Sequence, residues 1–223
     1  RYGLAMQLVA SIAGAQTLVN TIGYVQGTLK LGSVEYGWVM AAFGIGATLA
    51  AVIVGLLNQR WARTTYVLAG AVLITVALLP ANLVGLAPLM GLWLLAGAGQ
   101  NLVNLPTQTL IADRTPTEAQ GRVYGAHFAW SHFWWVFAYP VAGWMGVHAG
   151  DRTFFYGGLI GLTLLLVVQL TLSPKESASY WHNHPHLHDD YHQHEHSPEL
   201  SIGEPHSHPH PHLAIHLHHH PYG

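Results

Sequence analysis

Residues 106–125 read PTQTLIADRTPTEAQGRVYG and hold four charged side chains where two long apolar runs meet. An apolar run of 18 or more residues is long enough to cross the hydrocarbon of a bilayer as a helix. Charged side chains are costly inside that hydrocarbon and collect at its edges. The stretch therefore predicts a polar loop that joins two membrane-spanning helices.

Apolar runs continue in both directions from this loop. Only eleven charged residues occur between Arg1 and Leu172, nearly all at the edges of the runs. Since backbone groups in lipid must be hydrogen-bonded within the protein, each run predicts a helix. The predicted fold is an all-α membrane protein with one six-helix transmembrane domain over 1–172. Its spans are 4–28, 36–57, 64–84, 88–111, 123–147 and 154–172.

Small residues and prolines add detail to this picture. Glycine lets two helices approach closely in a membrane, and proline kinks or ends a helix. We therefore expect kinks or ends at Pro80, Pro106 and Pro140. The glycines expected at close helix contacts are Gly44, Gly46, Gly55, Gly91, Gly97 and Gly99.

The basic residues predict the orientation in the membrane. Alternate loops place six Lys or Arg on one side and leave Lys30 and Arg152 on the other. Loops with an excess of Lys and Arg stay in the cytoplasm. Both chain ends are thus expected there. The cytoplasmic set is Arg1, Arg60, Arg63, Arg114, Arg122 and Lys175.

Residues 173–223 have a different composition. This tail is rich in proline and holds fifteen of the eighteen histidines. A segment with so few large apolar residues cannot offset its ordering entropy, so we expect disorder in the absence of metal. The histidines are spread over 39 positions, unlike the single run of a purification tag.

The tail histidines recur in the pattern His-x-His, which lets a flexible chain place several imidazoles around one ion. The chain has no cysteine, and the tail has no methionine. This argues against copper(I) and leaves nickel, cobalt, zinc and copper(II). The predicted ligands are His182, His184, His186, His188, His192, His194, His196, His206, His208, His210, His212, His216, His218, His219 and His220.

Polar residues inside the predicted spans are candidates for a transport pathway. Such groups are costly in lipid and face either a cavity or the bundle interior. Hydrogen bonding between helices as a packing device is the alternative for the amides. Histidines in the fifth span can bind metal or carry protons, but His127 and His132 are five apart and cannot ligate one ion without another helix. The candidates are Asn20, Gln100, Asn101, Asn104, His127 and His132.

Charges at the predicted helix ends suggest a gate that locks one conformation. The alternative is a solvated loop whose ion pairs contribute about 0–1 kcal/mol each. The residues concerned are Arg60, Arg63, Asp113, Arg114 and Arg122.

Three segments resemble the C-terminal half of a major facilitator superfamily transporter. GLLNQRWAR at 55–63 is similar to the loop motif within a half, although Asn58 stands where Asp is common. Residues 106–125 resemble the link from the tenth to the eleventh helix, and YPVAGWMG at 139–146 resembles the eleventh. The resemblance implies a substrate site near the midplane, shared with an N-terminal six-helix half. Since the chain begins with Arg1, we expect that half to be missing from this sequence.

Together with the histidine tail, these segments resemble the bacterial nickel-resistance efflux permeases of the NreB/NrsD type. The resemblance implies export of nickel, with cobalt as a second candidate, across the bacterial inner membrane by proton exchange. An exporter of an organic compound with a metal-buffering or sensing tail is the alternative. We expect no enzyme, since neither a nucleophile–base pair nor a HExxH or phosphate loop occurs. No cofactor is expected, and the absence of a basic patch argues against nucleic acid.

Overall fold

The computed structural model describes residues 2–57 and 63–172, together with four two-residue segments of the tail. At 57, at 110–114 and in the tail it describes the backbone alone. The chain divides into two compact units, Arg1–Pro174 and Lys175–Gly223.

Six long helices form the first unit, in the order that the apolar runs predict. A six-residue π-helical segment, Gly23–Thr28, continues the first helix, and 3₁₀ turns at Ala81–Leu83 and Gly150–Arg152 precede the fourth and sixth. The helices are α1 (Tyr2–Ile22), α2 (Ser33–Leu57), α3 (Arg63–Leu78), α4 (Leu86–Arg114), α5 (Thr117–His148) and α6 (Thr153–Leu172).

Five of these helical segments are long and apolar enough to cross a membrane. α5 is not among them, because His127, Ser131 and His132 lower the apolarity of its middle. The prediction of a span over 123–147 is therefore right about the position of the helix, but this helix is less apolar than expected. The five spans are Tyr2–Thr28, Ser33–Leu56, Arg63–Leu83, Leu86–Thr109 and Gly150–Leu172.

α1 lies at the centre of the bundle. It packs against α3, α4, α5 and α6, while α2 packs mainly on α4. Two large rings anchor the main core. Trp93 and Phe154 pack edge to face with their centroids 5.0 Å apart, and the Trp93 indole donates to Thr21 Oγ1 at 2.9 Å. The central position of α1 means that polar groups on several of its sides are enclosed by other helices.

Large apolar side chains remain exposed on the outer faces of the bundle. α2 exposes Trp38, Ile45 and Leu49, and α5 exposes Phe128 and Trp144. Exposed apolar area of this extent is unusual for a protein surrounded by water. It is what a lipid-facing surface requires.

Glycines bring α4 into backbone contact with two neighbours. A Cβ at Gly46 would collide with the Leu94 carbonyl of α4, and one at Gly97 would collide with the Phe43 carbonyl of α2. A Cβ at Gly99 would likewise come within 2.6 Å of the Gly70 carbonyl oxygen of α3. The predicted close contacts are confirmed for Gly46, Gly97 and Gly99 and are wrong for the glycines that meet nothing within 4 Å: Gly44, Gly55 and Gly91.

The prolines fall in two kinds of position. Pro80 follows the end of α3, as predicted. Pro106 and Pro140 lie inside α4 and α5, which continue past them as helix. Neither of these two prolines ends its helix.

The described part of the tail consists of two antiparallel pairs of short strands. β1 (Trp181–His182) pairs with β4 (His210–Pro211), and β2 (Pro185–His186) pairs with β3 (His206–Ser207). His182 is opposite His210, and His186 is opposite His206. The predicted disorder of 173–223 stays a prediction, because most of the tail lies outside the described residues.

Candidate transport pathway

Gln16 and Asn20 of α1 are the centre of a buried hydrogen-bond network. Asn20 donates through Nδ2 to Gln16 Oε1 at 2.8 Å and to the Ala142 carbonyl of α5 at 3.0 Å. Gln16 in turn contacts Met145 Sδ at 3.1 Å and accepts a bond from Thr153 Oγ1 of α6 at 3.2 Å. The network ties α1 to α5 and α6.

Asn20, a predicted pathway residue, is therefore enclosed by the packing. Only 8% of its surface is exposed, and a Cβ at Gly146 would collide with its side chain. Of the two interpretations that the sequence leaves open, hydrogen bonding between helices fits this residue better than a path for substrate.

We expect Asn20→Ala to lower stability by about 1 kcal/mol, because it removes one hydrogen bond between helices, to Ala142, and one within α1, to Gln16. An interhelical bond of this kind contributes roughly 0.6 kcal/mol. Thermal unfolding of the purified protein in detergent measures this. Gln26→Ala, at an exposed position near the end of the same span, is the control. Unchanged stability together with altered transport would instead support a role for Asn20 in the transport pathway.

Gln7 and His127 form a second buried pair, between α1 and α5. Gln7 Nε2 lies 2.8 Å from His127 Nε2, and the two residues are 2% and 8% exposed. Gln7 Oε1 is buried and has no hydrogen-bond partner. His127, a predicted pathway residue, thus faces the central helix of the bundle.

Gln100 of α4 lies where three helices converge. A Cβ on Gly14 of α1 would come within 2.6 Å of Gln100 Oε1 and 2.9 Å of the Trp135 ring of α5. Gln100 Oε1 is buried without a hydrogen-bond partner. Gly14 therefore provides the space in which a polar atom from α4 approaches the central helix.

The remaining predicted pathway residues do not join these groups. Asn101 donates to the Ala47 carbonyl of α2 at 2.7 Å, so it links α4 to α2. Asn104 is half-buried on α4. His132 is exposed and stacks on Phe128 with centroids 3.8 Å apart. His127 and His132 point to different sides of α5, as their five-residue spacing predicts.

The structure describes the side chains of two of the five predicted gating residues. Arg63 begins α3 and is half-buried, and Arg122 is exposed in the second turn of α5. Arg60 lies outside the described residues, and Asp113 and Arg114 end α4 where only backbone is described. The gating interpretation stays a prediction.

Four of the fifteen predicted metal ligands lie in described segments: His182, His186, His206 and His210. The other eleven lie outside the described residues. Among the residues whose side chains the structure describes, no group of three or more His, Asp or Glu could hold a metal ion. The described helices thus offer amides and one buried imidazole in place of a preformed metal centre.

Comparison with known families decides what kind of protein carries this bundle. The sequence profile of the Major Facilitator Superfamily matches residues 4–200. The chain belongs to the major facilitator superfamily. No curated protein matches the chain significantly.

Membership of the superfamily identifies a secondary transporter, which agrees with the helices that can span a bilayer. It points away from an enzyme. In transporters of this fold the substrate path lies near the midplane between two halves. Among the buried polar groups, Gln7, Gln100 and His127 remain candidates for this pathway.

The pathway residues predicted from the sequence do not include two residues that make these contacts. Gln7 is the partner of His127, and Gln16 is the hub of the Asn20 network. Both are visible in the sequence as polar residues within the first apolar run, so a signal exists. What the sequence does not reveal is which helix each one faces.

Proposed function

We propose that this superfamily transporter exports a divalent metal cation from the cytoplasm in exchange for protons. Nickel is the first candidate and cobalt the second, with zinc as a further ligand of the tail. The observation that carries the proposal is the tail, which has fifteen histidines between 182 and 220, C-terminal to a transporter domain. Imidazole is a preferred ligand for these ions.

The strand register supports a metal-gathering role for the tail. His182 is opposite His210, and His186 is opposite His206. Directly opposite residues of an antiparallel pair lie on one face and within reach of each other. Each pair places two histidines at facing backbone positions, and we propose that they bind one ion together. A tethered site of this kind raises the metal concentration near the transporter entrance.

The proposed topology has six membrane spans with α5 as the fifth in order. Its 32 residues extend about 48 Å, more than the roughly 30 Å of a hydrocarbon core. The excess of Lys and Arg on one side then places the histidine tail in the cytoplasm of a bacterial cell, at the inner membrane. A second six-helix half supplies the other wall of the midplane site.

A second candidate function has one observation in its favour. The described helices present amides and a single buried histidine, and no group of three metal ligands within the described residues. Amide-lined paths suit a polar organic compound as well as an ion. In this alternative, the helices export an organic compound and the tail buffers or senses metal.

The test is growth of a metal-sensitive bacterium that expresses the full-length gene over graded nickel, cobalt, zinc and copper, with cell metal measured. We expect higher nickel tolerance together with lower cell nickel. Deletion of 176–223 should reduce the tolerance without abolishing it, because the tail only concentrates the ion. A tail of equal length with its fifteen histidines changed to glutamine is the matched control, since it keeps the tether and removes the ligands.

Two outcomes would contradict metal export. If tolerance rises while cell nickel also rises, the tail stores the ion and the helices carry another substrate. If neither tolerance nor cell metal responds to any of the four ions, the second candidate function is favoured and an organic substrate is to be sought.

A further inference from the structure

His127 is exceptional among the described side chains. No other His, Asp, Glu, Lys or Arg whose side chain the structure describes is buried. A buried ionisable group in a membrane domain is costly to keep and therefore points to function. Its partner, Gln7, lies on the central helix α1, which α3, α4, α5 and α6 surround.

The geometry of the pair suits two protonation states. With Gln7 Nε2 as the donor, His127 Nε2 accepts, so the imidazole is neutral and carries its hydrogen on Nδ1. Gln7 Oε1 is then a buried oxygen without a hydrogen-bond partner, which is unfavourable. Half a turn of the amide exchanges its oxygen and nitrogen. Oε1 would then face Nε2 and accept a hydrogen bond from a ring that carries a hydrogen there, as the protonated ring always does.

No other His, Asp, Glu, Lys or Arg is buried near the pair among the side chains that the structure describes. Three helical segments around the pair contain no His, Asp, Glu, Lys or Arg: Tyr2–Thr28, 86–112 and Thr153–Leu172. α4 ends with Asp113 and Arg114, where only the backbone is described. On α5 itself the flanking groups are Glu118, Arg122 and the exposed His132. Protonation of His127 would therefore introduce a single positive charge into an otherwise neutral interior.

Such a charge can couple proton binding to conformation. In the conformation described here α5 is packed on α1, and a charged imidazole would lose its hydration. In a conformation that separates the two helices at this point, water can reach the ring. A group with different proton affinities in two conformations shifts the balance between them.

We propose that His127, with Gln7 as its hydrogen-bond partner, is a proton-binding site of this transporter. The ring is neutral while α5 is packed on α1 and takes up a proton when the pair opens to water. The inference rests on the proposed function for the identity of the exported ion, but the proton site itself can be tested without it.

The direct test is ¹⁵N NMR of histidine-labelled full-length protein in detergent micelles. The His127 ring signals are identified as those lost in His127→Gln, a variant that keeps a hydrogen-bonding side chain and cannot titrate. We expect these signals to change reversibly from the neutral to the charged form between pH 8 and 5. Signals that stay neutral over this whole range would overturn the proposal.

The functional test uses proteoliposomes of the full-length protein and nickel alone as substrate. His127→Gln should lose at least tenfold in nickel accumulation driven by a pH gradient while it keeps nickel exchange without a gradient. His148→Gln, at the exposed end of the same helix, should match the unaltered protein. Gradient-driven accumulation that survives in His127→Gln would overturn the coupling role.

Failure to fold is separated from loss of coupling by a second variant. Gln7→Met keeps the volume of the side chain and removes the hydrogen bond to His127, so gradient-driven accumulation should fall while size-exclusion behaviour stays normal. Normal gradient-driven accumulation in Gln7→Met would exclude a role for the pair. If the unaltered protein moves no nickel, metal export fails, and the NMR titration alone decides the proton site.

Discussion

Nickel bound by the full-length protein is expected to be released as the pH falls from 7.5 to 5.5. An imidazole must be neutral to ligate a metal, and its ordinary pKa is about 6.5. The neutral fraction of such a ring drops from about nine tenths to about one tenth over this interval. Affinity should therefore fall about tenfold for each imidazole ligand, and about 100-fold for a site built from two.

Equilibrium dialysis with nickel at the two pH values measures this loss. The protein without residues 176–223 supplies the background from sites elsewhere. Nickel affinity that stays constant over the interval would show that imidazoles of the tail are not the ligands. Acidic residues of the tail, Asp189, Asp190 and Glu195, would then be the next candidates, because carboxylates remain ionised at pH 5.5.

The strand register makes the same prediction specific to position. His182, His186, His206 and His210 are opposite one another in pairs. Replacing these four by alanine should weaken nickel binding at pH 7.5 at least tenfold more than replacing four others near the chain end. That matched set is His216, His218, His219 and His220. Equal losses would mean that the histidines act as interchangeable ligands without a register.

Apolar runs predict the helices well and their ends poorly. The runs 88–111 and 123–147 predict the cores of α4 and α5, yet α4 continues to Arg114 and α5 begins at Thr117. Hydropathy reports the length that hydrocarbon covers, whereas a helix can continue into polar residues beyond it. The turn at Pro116, directly before α5, is the local reason for the boundary, since proline is suited to a helix start.

The sequence alone does not show which residues contact one another across the bundle. Spacing along one helix correctly separates His127 from His132, because a helix fixes the angle between them. The contact of His127 with Gln7 joins positions 120 residues apart, and the bond of Asn20 to Ala142 joins positions 122 apart. Such pairings depend on how whole helices pack, which no local pattern specifies.

The glycines illustrate the same limit in packing. Gly44 and Gly46 of α2 are two positions apart and equally plausible as helix contacts. Only Gly46 faces α4, where its missing side chain lets the Leu94 carbonyl approach. The difference of about 200° around the helix decides which one is needed. The sequence identifies a class of residue, and the packing selects its members.

Gly97→Ala is expected to lower the stability of the membrane domain by about 1–3 kcal/mol or more, the usual range for overpacking. The added methyl would overlap the Phe43 carbonyl, and backbone cannot move aside as a side chain can. Gly46→Ala should have a similar effect through the Leu94 carbonyl. In both variants α2 and α4 must separate along their shared contact.

The matched controls lie on the same two helices. Gly44→Ala on α2 and Gly91→Ala on α4 add the same methyl where nothing lies within 4 Å. Alanine in a helix is favoured over glycine by about 0.5–1 kcal/mol, so these variants should be neutral or slightly more stable. Thermal unfolding in detergent, followed by size-exclusion chromatography, compares all four. If Gly97→Ala is as stable as Gly91→Ala, the close approach of α2 and α4 is wrong, because two helices in backbone contact have no room for a methyl group.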